Sequence, residues 1–185
     1  FHVTGQGNID NAVFKPALAL NMFDIAGSFD AVKNTVALDT FKFDSKEFAA
    51  TGKANLALTW DGKSLGAVSG DLEATDVRLV TGVFPQPLLV SLFAFDGSYD
   101  VKARTLSWRR AAVEAPAFST EFGGNAQFFD AGSPALVLNG TLKALSLADA
   151  LRYWPEDVGS GAREWIADNV SQGQFGPMRL DANLP

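Results

Sequence analysis

Outside residues 147–172 the chain alternates apolar and polar side chains with a period of two, and this alternation is its strongest constraint on fold. Val36 and Leu38 share a face, as do Leu56, Leu58 and Trp60, then Leu106 and Trp108, then Phe118, Thr120 and Phe122, then Leu136, Leu138 and Leu142. Between them stand Asp39, Asn55, Thr59, Ser107, Arg109, Ser119, Glu121, Asn139 and Thr141. One greasy and one wet face is the mark of an antiparallel sheet, since parallel strands are buried on both sides. From Ala17 to Asp30 the phase breaks: Leu18, Leu20 and Met22 give way to Phe23, Ile25 and Phe29, which predicts a bulge near Asn21. Around Val83-Phe84-Pro85-Gln86-Pro87 the pattern dissolves into a loop, because neither proline suits a central strand.

An internal repeat orders the strands. Phe23 to Asp30 matches Phe93 to Asp100 at an offset of 70, and Thr35-Val36 with Thr105-Leu106 and Phe48 with Phe118 keep that register. Beyond it, Gly52-Lys-Ala54 and Leu56 align with Gly124-Asn-Ala126 and Phe128 only after a slip of two residues. Each copy reads as strand, turn, strand, turn, strand, with turn signals at Lys33-Asn34, Ser45-Lys46, Asp61-Gly62, Lys102-Ala103 and Gly132-Ser133-Pro134. Any meandering sheet can look self-similar over this length; the other reading is an elongated sheet that grows by adding like units.

Helical sequence is too short to cover such a sheet. The greasy face must be buried by a second sheet in a sandwich, by closure into a barrel, or by a ligand in an open groove. Composition narrows the partners. The chain has 185 residues, 47% of them hydrophobic and 19% charged, with 15 Phe against two Tyr, so it carries apolar surface with few polar handles. A net charge of −6 argues against nucleic acid, whose phosphates need clustered Lys and Arg, and against flat adsorption of the chain on anionic lipid. No Cys is present, which removes disulfides and thiolate metal sites. A carbohydrate-binding sandwich calls for Trp and Tyr on the wet face, whereas Trp60 and Trp108 alternate with the apolar set.

Catalytic signals are poor. His2 is the sole histidine, which excludes His-based triads and zinc sites. Gly5-Gln-Gly7 leads into strand-like residues, not a phosphate-binding helix, and Gly159-Ser-Gly161 reads as a hinge. The expectation is a non-enzyme without cofactor or metal.

The last forty residues change character. Ser146 with Asp149 resembles a capping box, and Pro155 ends the short helix that follows. Ser160 is placed to cap a second helix, in which Ala162, Trp165, Ile166 and Val170 form one apolar stripe, and Gly173 is placed as its left-handed terminator. Helices are expected near 147–153 and 161–171, with Trp154, Trp165 and Ile166 buried against the end of the greasy face.

The residues Tyr153, Trp154, Pro155, Ala162, Arg163, Trp165, Ile166, Asn169 and Gly173 form a signature that resembles the AsmA-like family of bacterial envelope proteins, related to TamB-type and YhdP-type proteins. The resemblance implies an all-β, repetitive, curved open groove with a short helical hairpin near the C-terminus. It implies residues 1–145 as repetitive antiparallel sheet, 146–173 as the helical module and 174–185 as the start of further strands, in a slice of a longer protein. It further implies a periplasmic protein held in the inner membrane through segments absent from this chain. Its apolar groove would conduct phospholipid or other acyl-chain lipid between inner and outer membranes, with other envelope proteins as partners. The groove residues expected on that basis are Val36, Leu38, Leu56, Leu58, Leu106, Trp108, Phe118, Phe128, Leu136 and Leu138; Trp154, Pro155, Arg163, Trp165, Ile166 and Gly173 belong to the module. The alternative is a structural β-sandwich that scaffolds outer-membrane assembly.

Overall fold

The computed structural model describes residues 1–9, 18–80, 86–129, 134–154 and 159–184. Nine antiparallel strands follow one another as a meander: β1 His2–Ile9, β2 Leu18–Asp30, β3 Thr35–Ser45, β4 Phe48–Asp61, β5 Ser64–Leu79, β6 Leu88–Asp100, β7 Thr105–Glu114, β8 Ser119–Gln127 and β9 Ala135–Leu142. The chain then leaves the sheet through β10 Leu145–Ser146, α1 Leu147–Tyr153, α2 Ser160–Asn169 and β11 Gln174–Phe175. It returns as β12 Met178–Leu184, which lies beside β9 as the tenth strand of one open sheet. Met178 re-enters directly opposite Leu142, so the helical module is an excursion from the sheet and not its end. Residues 178–184 therefore extend the same sheet.

Cross-strand partners in an antiparallel sheet share a face. Val3, Ile25, Phe41, Gly52, Ala74, Phe93, Val113, Thr120, Leu142 and Met178 form one unbroken row across all ten strands. Parallel to it run Leu38-Ala54-Leu72-Phe95-Ala111-Phe122 and Leu58-Val68-Tyr99-Leu106-Ala126-Leu136. The opposite face carries exposed polar pairs: Lys53 with Glu73 at 3.2 Å, Asn55 with Asp71 at 3.1 Å, Arg109 with Asp96 at 2.7 Å and Arg110 with Glu121 at 3.0 Å. One greasy and one wet face is what the alternation predicts.

The repeat is present in the pairing, and β2 to β4 match β6 to β8 at a constant offset of 70. Asn34 and Arg104 both take φ 54° at the ends of matching turns, where Asp30 accepts from the Val32 and Lys33 N–H groups and Asp100 from Ala103 N–H. The ladder slips between Leu38 and Phe41 in one copy and between Trp108 and Ala111 in the other. Leu38 pairs with Ala54 and Trp108 with Gly124, again 70 apart, so the two-residue slip expected from Gly52 and Gly124 is absent. Matching glycines misled that alignment, because backbone pairing fixes the register and Gly52 pairs with Phe41. The bulge expected near Asn21 is present, between Leu20 and Met22. It puts Met22 opposite Asp44, off the face shared by Leu20 and Phe23.

Candidate functional site

No second sheet covers the greasy face among the described residues. Among the described residues, five of the buried side chains on this face are small alanines, Ala50, Ala54, Ala74, Ala111 and Ala126, which the larger side chains around them hide. Apart from Leu20, Phe41 and Val90, the larger side chains of the face stay half-open or exposed, as they do on a sheet with one solvent-facing apolar side. A sandwich core would bury the large side chains first. The sandwich alternative does not describe this architecture.

The face holds a trough of about 670 Å³ spanning β3 to β7. Phe41, Phe43 and Phe48 form one wall, Phe93, Phe95 and Val113 the other, with Ala50, Ala54, Leu72 and Ala74 on the floor. Its lining is entirely apolar, with no charged or hydrogen-bonding side chain. Phe41 with Phe43 at 5.5 Å and Phe93 with Phe95 at 6.4 Å are ring pairs on the walls. The aromatics lean over glycines: the Phe41 ring lies over its partner Gly52 and the Trp108 ring over its partner Gly124, and a Cβ there would meet the ring and, closer still, the backbone carbonyl oxygen of Glu73 or Val137. Glycine there lets a flat ring lie along the sheet and seal the bare backbone below it.

The ten expected groove residues all lie on this face, but only Leu38 and Leu56 line the trough itself. Val36, Trp108 and Leu138 belong to the row of Leu56, and Leu58, Leu106 and Leu136 to the next row. Phe128 pairs edge-on with Tyr99 at the sheet end, and Phe118 packs edge-on against Tyr153 of α1 at 5.6 Å. Sequence reasoning missed Phe41, Phe43, Phe48, Leu72, Phe93 and Phe95. Their signal was legible only past the bulges: Phe41 and Phe43 switch parity relative to Leu38 because the ladder slips between them.

The module overhangs the far end of the same face. Tyr153 and Trp154 join Phe118, Leu142, Leu145, Phe175, Met178 and Leu180 around a second apolar cleft of about 600 Å³. α1 begins as expected, with Asp149 N–H donating to Ser146 Oγ at 3.1 Å and the Ser146 hydroxyl donating to the Asp149 carboxylate. α2 departs from expectation. Gly159, at φ 56°, is its N-cap, and Ser160 is its first helical residue without a side-chain cap. Val170, in extended conformation, ends it, while Asn169 Nδ2 donates to the Trp165 carbonyl at 2.8 Å. Gly173 has no positive φ; its carbonyl instead accepts from Leu147 N–H. Ile166 and Val170 face Leu147 and Phe175 across a small cleft. Trp165 does not join them and is 61% exposed. It stands 100° around the helix from Ile166, and the contact with Leu147 and Phe175 is too narrow to cover both. Arg163 is half-buried, and its Nε has no hydrogen-bond partner among the described residues. Pro155, the turn at Gly132-Ser133 and the loop at Val83–Pro85 lie outside the described residues.

Among the described residues no cluster of His, Asp or Glu has metal-binding geometry, and no helix is long and apolar enough to cross a membrane. Searches of protein-family models, of curated proteins and of solved structures each found no match to this chain.

Proposed function

We propose that the apolar face binds acyl chains, and that the chain is a segment of an AsmA-like envelope protein whose groove conducts phospholipid between the inner and outer membranes through the periplasm. The observation that carries this reading is the trough over β3 to β7, lined wholly by apolar side chains. A hydrocarbon chain brings no group that needs a hydrogen bond, so it fits a lining that offers none. A peptide laid there would leave its backbone N–H and C=O groups unpaired, at a cost of several kcal/mol each by transfer estimates (~2–7). Burial of an acyl chain contributes about 0.8 kcal/mol per methylene, enough to retain a lipid without head-group recognition. The unbroken row across ten strands and the 70-residue repeat support a surface along which a chain can be passed, in place of one closed pocket.

Mass spectrometry of an organic extract of the purified chain tests this reading. Phospholipid is expected with the wild type, and it is expected to fall sharply for Leu72→Glu, which places a carboxylate on the trough floor. A wild type purified free of lipid, or a variant that retains as much, refutes it.

A further inference from the structure

The two hollows on the apolar face stand at matching places in the internal repeat. Strand β8 corresponds to β4 at the offset of 70, and β9 and β12 follow it across the sheet as β5 and β6 follow β4. Phe48, the first residue of β4, lines the trough, and Phe118, its counterpart just before β8, lines the cleft beneath the module. In the first unit β5 ends at Leu79, which pairs with Leu88, the first residue of β6. In the second, β9 ends at Leu142, which pairs with Met178, the first residue of β12. Leu79 and Leu88 line the trough; Leu142 and Met178 line the cleft. The same three places in each unit therefore border a hollow, of about 670 Å³ in the first and about 600 Å³ in the second.

The connection between the paired ends is what differs. Residues 80–87 make it in the first unit, and residues 143–177, with the whole helical module, make it in the second. Tyr153 of α1 meets Phe118 edge-on at 5.6 Å, and Ala150 and Trp154 complete a wall of the cleft that does not belong to the ten-stranded sheet. The two hollows share no lining residue among those described; between them the face carries Ala111, Thr120 and Phe122. The counterparts of Thr120 and Phe122 in the first unit are Ala50, on the trough floor, and Gly52. Larger side chains thus fill in the second unit the space left open in the first, and the Phe122 ring stands edge-on to the Trp108 indole at 6.4 Å. Thr120 is also the one polar side chain in the row that crosses all ten strands, its hydroxyl donating to the Thr141 carbonyl at 2.9 Å.

We infer that each unit of the repeat builds one acyl-chain station, so that the face holds two discrete chains, one in the trough and one in the cleft between the sheet and the helical module. The inference rests on the acyl-chain reading of the face and adds to it a second site, a fixed number of chains and a task for the module. A single hydrocarbon chain suits the cleft as it suits the trough, because beyond the Tyr153 hydroxyl and the Trp154 indole no lining side chain carries an N–H or O–H group. A chain there is held from the sheet by Phe118, Leu142 and Leu180 and from the module by Tyr153 and Trp154. Passage between the stations crosses the partition at Thr120 and Phe122.

Native mass spectrometry of the delipidated chain titrated with palmitate tests it. The wild type is expected to saturate at two palmitates. Leu72→Glu on the trough floor and Leu180→Glu in the cleft are each expected to bind one, and the double variant none. Leu180 lies on the edge strand and is already 37% exposed, so its carboxylate replacement can stay hydrated and the circular dichroism is expected to hold. Palmitate with a diazirine at its methyl end supplies a readout that needs no substitution: photolysis is expected to label the wild type near both Phe48 and Phe118. The inference is overturned if the wild type saturates at one chain or at three or more, if Leu180→Glu binds two or none, or if labelling is confined to the trough. The two readings separate on the count: one chain that Leu72→Glu removes abolishes only the second station, whereas no chain at all abolishes the groove as well.

Discussion

Gly124 sits directly across the ladder from Trp108, and a Cβ there would collide with the Val137 carbonyl oxygen and press on the indole at 3.0 Å. Neither the backbone of β9 nor a ring already packed on the sheet can give way cheaply. Gly124→Ala is expected to cost about 1–3 kcal/mol, a fall of roughly 2–4 °C in Tm for each kcal/mol. Gly161→Ala, where a methyl meets nothing within 4 Å on α2, is expected to be neutral or to stabilise by up to about 1 kcal/mol, and paired thermal melts check both. Asp30 supplies a pH signature. The Lys33 N–H, followed by the Val32 N–H, holds its carboxylate below the ordinary aspartate range. A depressed folded-state value means that the stabilisation is present above the unfolded value and is lost as pH falls through the folded one. Carboxyl NMR titration is expected to place Asp30 below a model aspartate, and Asp30→Asn to flatten that part of the acid limb.

At the scale of the element, legibility depended on whether a strand keeps its phase. Strand β4 alternates cleanly from Ala54 to Trp60, so its apolar side could be read directly. In β3 the slip after Leu38 moves Phe41 and Phe43 onto the same face as Val36 and Leu38, and a strict period of two assigns them to the wrong side. The break at Asn21 was visible because two apolar runs met out of phase; the one at Asp39-Thr40 was hidden because two polar residues bridge it. The helices were legible in position but less so in orientation. Capping chemistry placed α1, yet helical periodicity alone could not say that β11 and Leu147 offer room for Ile166 and Val170 and none for Trp165. Trp165→Ala is accordingly expected to change stability by no more than about 0.5 kcal/mol. Trp154→Ala, which opens the cleft against Leu142 and Met178, is expected to cost about 2 kcal/mol, below the range for a fully buried Trp because this one is half-buried. Denaturant melts that ranked the two in reverse would put the docking of the module on α2 instead of α1.

For the whole molecule, the open sheet changes what a buried charge means. In a two-layer core, a carboxylate facing a second sheet has no water to reach, and it unfolds a domain of ordinary stability. On this face Leu58 and Leu106 lie in one row, half-buried, with solvent above them. A carboxylate at either position can stay hydrated, so Leu58→Asp or Leu106→Asp is expected to cost only about 1–3 kcal/mol, the range for a polar group with partial compensation, and to leave the fold intact by circular dichroism. The same charge interrupts the apolar row that connects Val68 and Tyr99 to Ala126 and Leu136. If acyl chains pass along that row, lipid transfer is expected to fall steeply while the abundance of the protein does not. A variant that unfolds in isolation would show that something other than lipid normally covers the face. A variant that folds and transfers lipid at the wild-type rate would show that chains, if carried at all, keep to the Phe-walled trough over β3 to β7 and never cross this end of the sheet.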